Sequence, residues 1–216
     1  MARLYVGNDP GKAGWIAWLD AQGRVVGTEP QPLIVALRDR GKGDTFDRGG
    51  MRALVQRVRA EGEIALWAIE QQIPVGGRAR INPISAAVQF SGYGQWLGLF
   101  AGLEVPYVEV NPRRWREALA VVKPASRVKG AMTDPALEDH EVEEDRKRHR
   151  RDVDKRRKEA LTNAVRRAQA LWPGTSLLAS ERCKVPSPDK AVSLLLAEYA
   201  RREKLGGPAA ASREAV

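Results

Sequence analysis

The chain has 216 residues, of which 43% are hydrophobic, and this suits one domain with a substantial core. Its 36 Lys and Arg residues outnumber its 27 Asp and Glu residues, and the resulting net charge of +9 favours a polyanionic partner such as nucleic acid. One cysteine excludes an internal disulfide, and two histidines argue against a histidine-based metal centre or catalytic triad. No apolar run is long enough to cross a membrane and no signal peptide precedes the first strand, so we expect a cytoplasmic protein without a membrane partner.

The first twenty residues predict a hairpin that carries an acid at its turn. Leu4 and Val6 alternate with Tyr5, so a short buried strand leads into Asp9. Proline and glycine then force a tight reversal, and residues 15–19 are apolar enough to form the returning strand. A second turn leads to a third antiparallel strand near residues 24–28.

A strand followed by Asp-Pro-Gly is typical of two groups of proteins. In nucleases of the ribonuclease H type the aspartate holds a metal ion, whereas in actin-like kinases and ATPases the turn holds phosphate. The actin-like fold needs two such units and a far longer chain, so the length favours the nuclease. The motif alone does not decide, because Asp-Pro-Gly is also common in turns for purely local reasons.

A second acid is predicted to lie beside Asp9. Residues 29–46 show little periodicity, residues 47–62 have the apolar spacing of an amphipathic helix, and residues 64–72 read as a buried parallel strand that ends in Glu70. In this arrangement the first and fourth strands are neighbours, so Asp9 and Glu70 should emerge close together. Their charges would repel each other unless a cation lay between them.

The middle of the chain predicts a basic loop, a helix, a fifth strand and a further helix. The loop covers 73–82, and the helix runs from Pro83 to about residue 103 with four glycines that imply close approach of another backbone or a ligand. A strand at 105–111 leads into a helix at Pro112, whose first turn carries three arginines suited to an anionic ligand: Arg113, Arg114 and Arg116. Together the elements predict an α/β protein with a five-stranded mixed sheet flanked by helices.

The last third predicts a charged insertion and a final apolar helix within a single domain of residues 1–205. The insertion covers about 122–150, is partly disordered to about residue 144, and becomes a helix that reaches residue 172. Nine Lys and Arg residues between 146 and 158 fit either a solvated, ion-paired helix or a contact to the DNA backbone. Ser187 is the predicted N-cap of the final helix, Asp189 lies in its first turn, and residues 206–216 are a predicted disordered tail.

Five segments in this order resemble the RuvC-like Holliday junction resolvases, particularly the short phage-type and organellar members. The matching segments are Gly7-Asn-Asp-Pro-Gly-Lys-Ala-Gly14, Ala68-Ile-Glu-Gln71, Gly92-Tyr-Gly-Gln-Trp-Leu-Gly-Leu99 with Val105-Pro-Tyr107, Val110-Asn-Pro-Arg-Arg-Trp115, and Asp189-Lys-Ala-Val-Ser-Leu-Leu-Leu-Ala-Glu-Tyr199. The resemblance implies a ribonuclease H-like fold, a homodimer, and an endonuclease that nicks two strands of a four-way DNA junction symmetrically. It also implies two Mg²⁺ ions, for which Mn²⁺ would substitute.

The family binds these ions with four acids, and the resemblance places three of them at Asp9, Glu70 and Asp189. The fourth position falls on Val192, which cannot bind metal. Asp152, Asp154 or Glu198 could compensate, although Glu198 lies nearly opposite Val192 on a helix. Otherwise the site holds one metal weakly, or the chain binds junctions without cutting them well. We expect the three-acid site.

Seven further residues are candidates for DNA binding, and two other functions stay open. Six are cations placed to hold phosphates, and Ile73, just beyond the Glu70 strand, could wedge into the junction; the cations are Lys12, Arg78, Arg80, Arg113, Arg114 and Lys190. The alternatives are a catalytically weak junction-binding protein and a ribonuclease H-type nuclease that acts on branched DNA or RNA–DNA hybrids.

Overall fold

A computed structural model describes residues 1–38, 41–72, 83–122 and 139–206 of the chain. The predicted basic loop at 73–82, the first part of the predicted insertion at 123–138, and the predicted tail beyond residue 206 lie outside these residues. No helix among the described residues combines the length and the apolar composition needed to cross a bilayer.

The predicted five-stranded mixed sheet is confirmed. Its strands lie in the order β3-β2-β1-β6-β7, and β2 alone runs against the others. This is the ribonuclease H-like arrangement, an antiparallel meander extended by two parallel strands. The bounds are β1 Arg3–Asn8, β2 Trp15–Asp20, β3 Val25–Pro30, β6 Glu63–Glu70 and β7 Tyr107–Val110.

The aperiodic segment 29–46 contains a hairpin that the sequence pattern did not indicate. Strands β4 (Leu33–Arg38) and β5 (Gly41–Phe46) pair antiparallel as a separate two-stranded sheet. Ile34 and Val35 are 49% and 68% exposed, so neighbouring side chains on opposite faces of β4 both reach the surface. Alternation of apolar and polar residues follows from burial of one face, and the period-2 pattern that predicts strands is absent here.

The helices cover both faces of the main sheet. Side chains of β1 alternate between the faces, since Tyr5 belongs to the core under α4 and α5 while Leu4 and Val6 belong to the core under α1 and α2. The helices are α1 Arg48–Glu61, α2 Pro83–Gly102, α3 Pro112–Ala118, α4 Asp139–Leu171 and α5 Pro188–Lys204. Helix α4 therefore begins about five residues before its predicted start.

Helix α5 lies directly on β1 because Gly7 has no side chain. A Cβ atom at Gly7 would lie 2.1 Å from the Ser193 carbonyl oxygen and 2.2 Å from the Ala197 nitrogen. Any side chain at this position would push α5 off the sheet. Gly7 thus brings the N-terminus of α5 to the edge where β1 ends.

The glycines of α2 behave in two ways. A Cβ atom at Gly92 would lie 2.2 Å from the ring of Phe46, so this glycine admits a side chain of β5 and not another backbone. Among the described residues, nothing lies within 4 Å of a Cβ atom built at Gly94, Gly98 or Gly102, and the close approach of a backbone or a ligand stays a prediction at these three positions.

Candidate active site

The three predicted acids lie in one cleft of about 580 Å³ at the edge of the sheet. Asp9 follows β1 and Glu70 ends β6, and the parallel register of these strands pairs Asn8 with Ile69, so the two acids are the next residues on adjacent strands. Asp189 enters from the first turn of α5. The acids are far apart in sequence and are brought together by the sheet and by α5.

The turn after β1 holds Asp9 in place. The Gly11 amide donates a hydrogen bond to Asp9 Oδ1 at 3.4 Å, and the Asp9 amide donates to the Trp15 carbonyl at 3.0 Å. A Cβ atom at Gly14 would lie 2.0 Å from the Asp9 carbonyl oxygen, so only glycine fits there. The Asp-Pro-Gly turn therefore sets the direction in which the carboxylate leaves the sheet.

Helix α3 supplies two donors to Glu70. Trp115 Nε1 donates at 2.9 Å and Arg116 Nη2 donates at 3.1 Å, and both bonds go to Oε1. The Asn111 side chain caps α3 by accepting from the Arg113 amide at 2.9 Å, which fixes the start of the helix. The sequence predicted Arg116 to face an anion, and in the structure that anion is the Glu70 carboxylate.

The electrostatics of the three acids favour a cation. Burial, together with the nearby charges of Glu70 and Asp189, raises the pKa of Asp9 to about 7. Burial also raises the pKa of Glu70, against the opposing effect of Arg116, and that of Asp189, against Arg157. A divalent cation would relieve this repulsion and favour the ionised forms.

The three carboxylates suit Mg²⁺ but do not form a complete set of protein ligands around an ion. Carboxylate oxygens are the ligands that this hard cation prefers, and it usually keeps several waters when one or two carboxylates bind it. Among the described residues, no three His, Cys, Asp or Glu side chains are close enough to form a preformed metal cluster. Asp9, Glu70 and Asp189 are the residues that could hold the ion.

A buried polar network behind Asp9 escaped the sequence reasoning. Gln31 Nε2 donates to the Asp9 carbonyl and to Asn8 Oδ1, both at 2.6 Å, and Gln31 Oε1 accepts from Trp96 Nε1 at 3.0 Å. Asn8, Gln31 and Trp96 are at most 4% exposed. Gln31 lies in the segment that lacked periodicity, so no local pattern marked it.

The candidate DNA-binding residues are placed differently from one another. Lys12 lines the cleft and donates to the Asp44 carbonyl. Arg113 pairs with Glu117 at 2.7 Å, and Arg114 is exposed on α3. Lys190 donates to the Leu178 carbonyl at 3.2 Å and lies 4.8 Å from the centre of the Trp15 ring, a geometry that suits a structural role. Ile73, Arg78 and Arg80 lie outside the described residues.

The structure also shows where Val192 lies and where the acids lie that could replace the missing fourth ligand. Val192 is 3% exposed and lines the cleft one turn after Asp189. Glu198 accepts hydrogen bonds from Arg201 and Arg202 at 2.7–2.9 Å, so its carboxylate is already neutralised. Asp152 and Asp154 are exposed on α4 and do not line the cleft.

Arg157 is a cleft residue that sequence reasoning missed. Arg157 reaches the cleft from α4. Its positive charge opposes the rise in the pKa of Glu70 and of Asp189 that burial causes. It is one of nine cations in a run of thirteen residues, and nothing in the sequence distinguishes it from its neighbours. Only the packing of α4 against α5 selects it.

The chain matches no family model and no curated protein. Similar solved structures include RuvC from Thermus thermophilus, with 15% identity, a TM-score of 0.40, and coverage of 95% of this chain and 97% of that one. They also include T. thermophilus RuvC in complex with a Holliday junction substrate, with 13% identity, a TM-score of 0.43 and the same coverage. Similarity at this level concerns the fold and assigns no activity to this chain.

Proposed function

We propose that this protein is a metal-dependent endonuclease that cuts four-way DNA junctions. The observation that carries the proposal is the cleft, in which three acids from β1, β6 and α5 converge with raised pKa values beside Arg116 and Arg157. Acids and arginines in one cleft suit a reaction at a phosphodiester, because the acids hold a cation and the arginines attract the phosphate.

The residues of the cleft divide the work of hydrolysis. Asp9, Glu70 and Asp189 would hold Mg²⁺, which would supply activation of water and neutralisation of charge on the leaving oxygen. Arg116 and the Trp115 indole orient the Glu70 carboxylate through Oε1. Arg157 and Lys12 line the cleft and place positive charge where the DNA backbone would enter.

The choice of a four-way junction rests on the sequence resemblance to the RuvC-like resolvases. Symmetric nicking of two strands needs two active sites, so the proposal includes a homodimer. The apolar Val192 in the cleft supports a second candidate function, a junction-binding protein that cuts poorly.

One assay separates these functions from a ribonuclease H-type activity. Labelled four-way junction, linear duplex and RNA–DNA hybrid are each incubated with the protein in Mg²⁺ or Mn²⁺. Paired symmetric nicks on the junction alone support the proposal. A gel shift of the junction without cutting supports the weak binder, and cutting of the hybrid supports the ribonuclease H-type enzyme.

The first prediction concerns the two acids on adjacent strands. Asp9→Asn and Glu70→Gln should each lower the rate of junction cutting about a hundred-fold or more, because metal binding is worth several kcal/mol of transition-state stabilisation. Junction binding in a gel shift should persist, since the cations are unchanged. Glu63→Gln, at the other end of the strand that carries Glu70, is the matched control and should cut normally. Normal cutting by either acid variant would show that the site is misplaced.

A further inference from the structure

The charges of α4 are sorted along its length. Residues 139–145 contain five acids, whereas residues 146–158 contain nine Lys and Arg and only two acids. Acids at the start of a helix are favoured by its dipole, so the acidic end has a local explanation. A local explanation does not account for the dense positive charge that follows.

Three cations of this basic segment have no ion-pair partner among the side chains that the structure describes. Every side chain described between residues 151 and 159 is exposed. Among the described side chains, none of Arg151, Lys155 and Lys158 takes part in an ion pair. The interpretation of this run as an ion-paired solvated helix therefore fails for the part of α4 whose side chains are described.

The two halves of α4 have different surroundings. The second half packs on the core through Ala164 and Ala168, which are 1% and 0% exposed. The helix has 33 residues and is thus about 50 Å long, so much of the first half extends past the packed region. The described cations Arg151, Lys155 and Lys158 lie before these packed residues, in the middle of the helix.

The basic segment begins at the wall of the cleft. Arg157 lines the cleft together with Ala160, Leu161 and Ala164. From Arg157 to Arg151 the helix rises about 9 Å, the length of about three base pairs. A DNA arm that leaves the cleft along α4 would therefore meet positive charge over that whole distance.

We propose that the exposed cations Arg151, Lys155 and Lys158 of α4 bind the sugar-phosphate backbone of a DNA arm outside the cleft. The inference rests on the proposed function for the presence of DNA in the cleft, and it assigns a separate surface to the same substrate. Backbone contacts of this kind need exposed Lys and Arg without fixed partners, which α4 offers. The competing partner is a second copy of the chain, which would pair the acidic end of its α4 with these cations. This pairing is disfavoured because the cores of protein interfaces are depleted in charged residues.

The test removes three charges on one face of α4. Arg151, Lys155 and Lys158 are changed together to Gln, which keeps helix propensity, while Arg157 stays because it belongs to the cleft. Arg48, Arg52 and Arg59 on α1, across the sheet, changed to Gln are the matched control with the same loss of charge. Junction and duplex affinities are measured in EDTA in an Asp9→Asn background, so that no cutting is involved.

The proposal predicts a change in salt dependence. The slope of log K against log salt should fall by about 2.7 in the α4 variant, so that between 50 and 200 mM salt the unchanged protein loses about 40-fold more affinity than the variant. The α1 control should keep the original slope. An α4 variant with exchanged cations, Arg151→Lys with Lys155→Arg and Lys158→Arg, should restore it even if the glutamine variant loses helix.

An equal slope for the α4 and α1 variants would overturn the proposal, whatever the cutting assay shows. Conversely, failure to cut a junction would remove the proposed function and leave this binding result standing.

Crosslinking distinguishes DNA from a second copy. Lys155→Cys in a Cys183→Ser background carries an aryl azide, and Arg52→Cys in the same background is the control. Adducts with DNA at position 155 and not at position 52 are expected. Adducts formed only between protein chains would show that α4 is a dimer contact and would overturn the proposal.

Discussion

At the scale of single residues, the Asp9 backbone is held by Gln31, an uncharged residue that is only 4% exposed. Gln31 holds the Asp9 carbonyl, the Asn8 side chain and the Trp96 indole at once. A buried hydrogen-bonding group that loses its partner lowers the free energy of unfolding, because no water molecule takes the place of the partner. We infer that Gln31 positions Asp9 through the backbone and is not itself catalytic.

Gln31→Leu should lower the free energy of unfolding by about 3 kcal/mol, because it leaves three buried polar groups unpaired. It should also weaken Mn²⁺ binding about ten-fold or more, as loss of a supporting hydrogen bond does at metal sites. Urea unfolding and a Mn²⁺ titration measure the two effects. Gln56→Leu, exposed on α1, should change the free energy by less than about 0.5 kcal/mol. A Gln31→Leu variant with unchanged Mn²⁺ affinity would limit Gln31 to a structural role.

At the scale of elements, α5 joins the site to the core. Ten consecutive residues, 191–200, are buried, so the helix is enclosed on all sides and its N-terminus cannot drift from the cleft. At its other end Glu198, whose side chain is 5% exposed, pairs with Arg201 and Arg202 of the same helix, and Arg201 Nη1 donates to the Ala21 carbonyl at 3.2 Å. Burial opposes ionisation of Glu198, but the hydrogen bonds from the two arginines outweigh it and lower its pKa.

This pairing predicts an acid-sensitive contribution to stability. Because the folded pKa of Glu198 is lowered, its contribution is complete above the unfolded pKa and is lost as the pH falls through the folded pKa. At pH 7 Glu198→Gln should lower the free energy of unfolding by about 2 kcal/mol, and the difference should shrink below about pH 4. Urea unfolding over this pH range measures it, with exposed Glu181→Gln as the control. A difference that does not change with pH would contradict the ion pairs.

At the scale of the whole molecule, the fold concentrates like charge at one edge of the sheet. The sheet brings Asp9 and Glu70 to adjacent positions, and α5 adds Asp189. The protein therefore holds three mutually repelling acids in its folded state, and a bound cation would stabilise that state over the unfolded chain.

Mg²⁺ should consequently raise the melting temperature. At a concentration of 100 times the Kd, the gain is about 2.7 kcal/mol, which corresponds to roughly 5–10 °C for a chain of this size. Asp9→Asn should melt at a higher temperature than the unchanged protein in EDTA, because one repelling charge is gone, and should respond weakly to Mg²⁺. Differential scanning calorimetry with EDTA or Mg²⁺ gives both values. Equal responses to Mg²⁺ would exclude Asp9 as a ligand.

Local patterns in the sequence were sufficient for most elements and for the pairing of Asp9 with Glu70, whereas Asp189 was assigned to the site only by the family resemblance. Alternation and helical spacing predicted the five strands of the main sheet, α1 and α5, and the order of strands implied that Asp9 and Glu70 are neighbours. These features follow from residues close in the chain, because burial of one face imposes a period that can be read directly.

The tertiary structure alone decided the rest. Gln31 behind Asp9, Arg157 in the cleft and Lys190 against Trp15 depend on contacts between distant segments. In the β4–β5 hairpin Ile34 and Val35 are exposed while Phe46 is buried, so the described side chains leave no regular period in the sequence. Arg157, one of nine Lys and Arg residues, becomes a cleft residue only because α4 packs on α5, and such packing is a property of the folded chain and not of any local pattern.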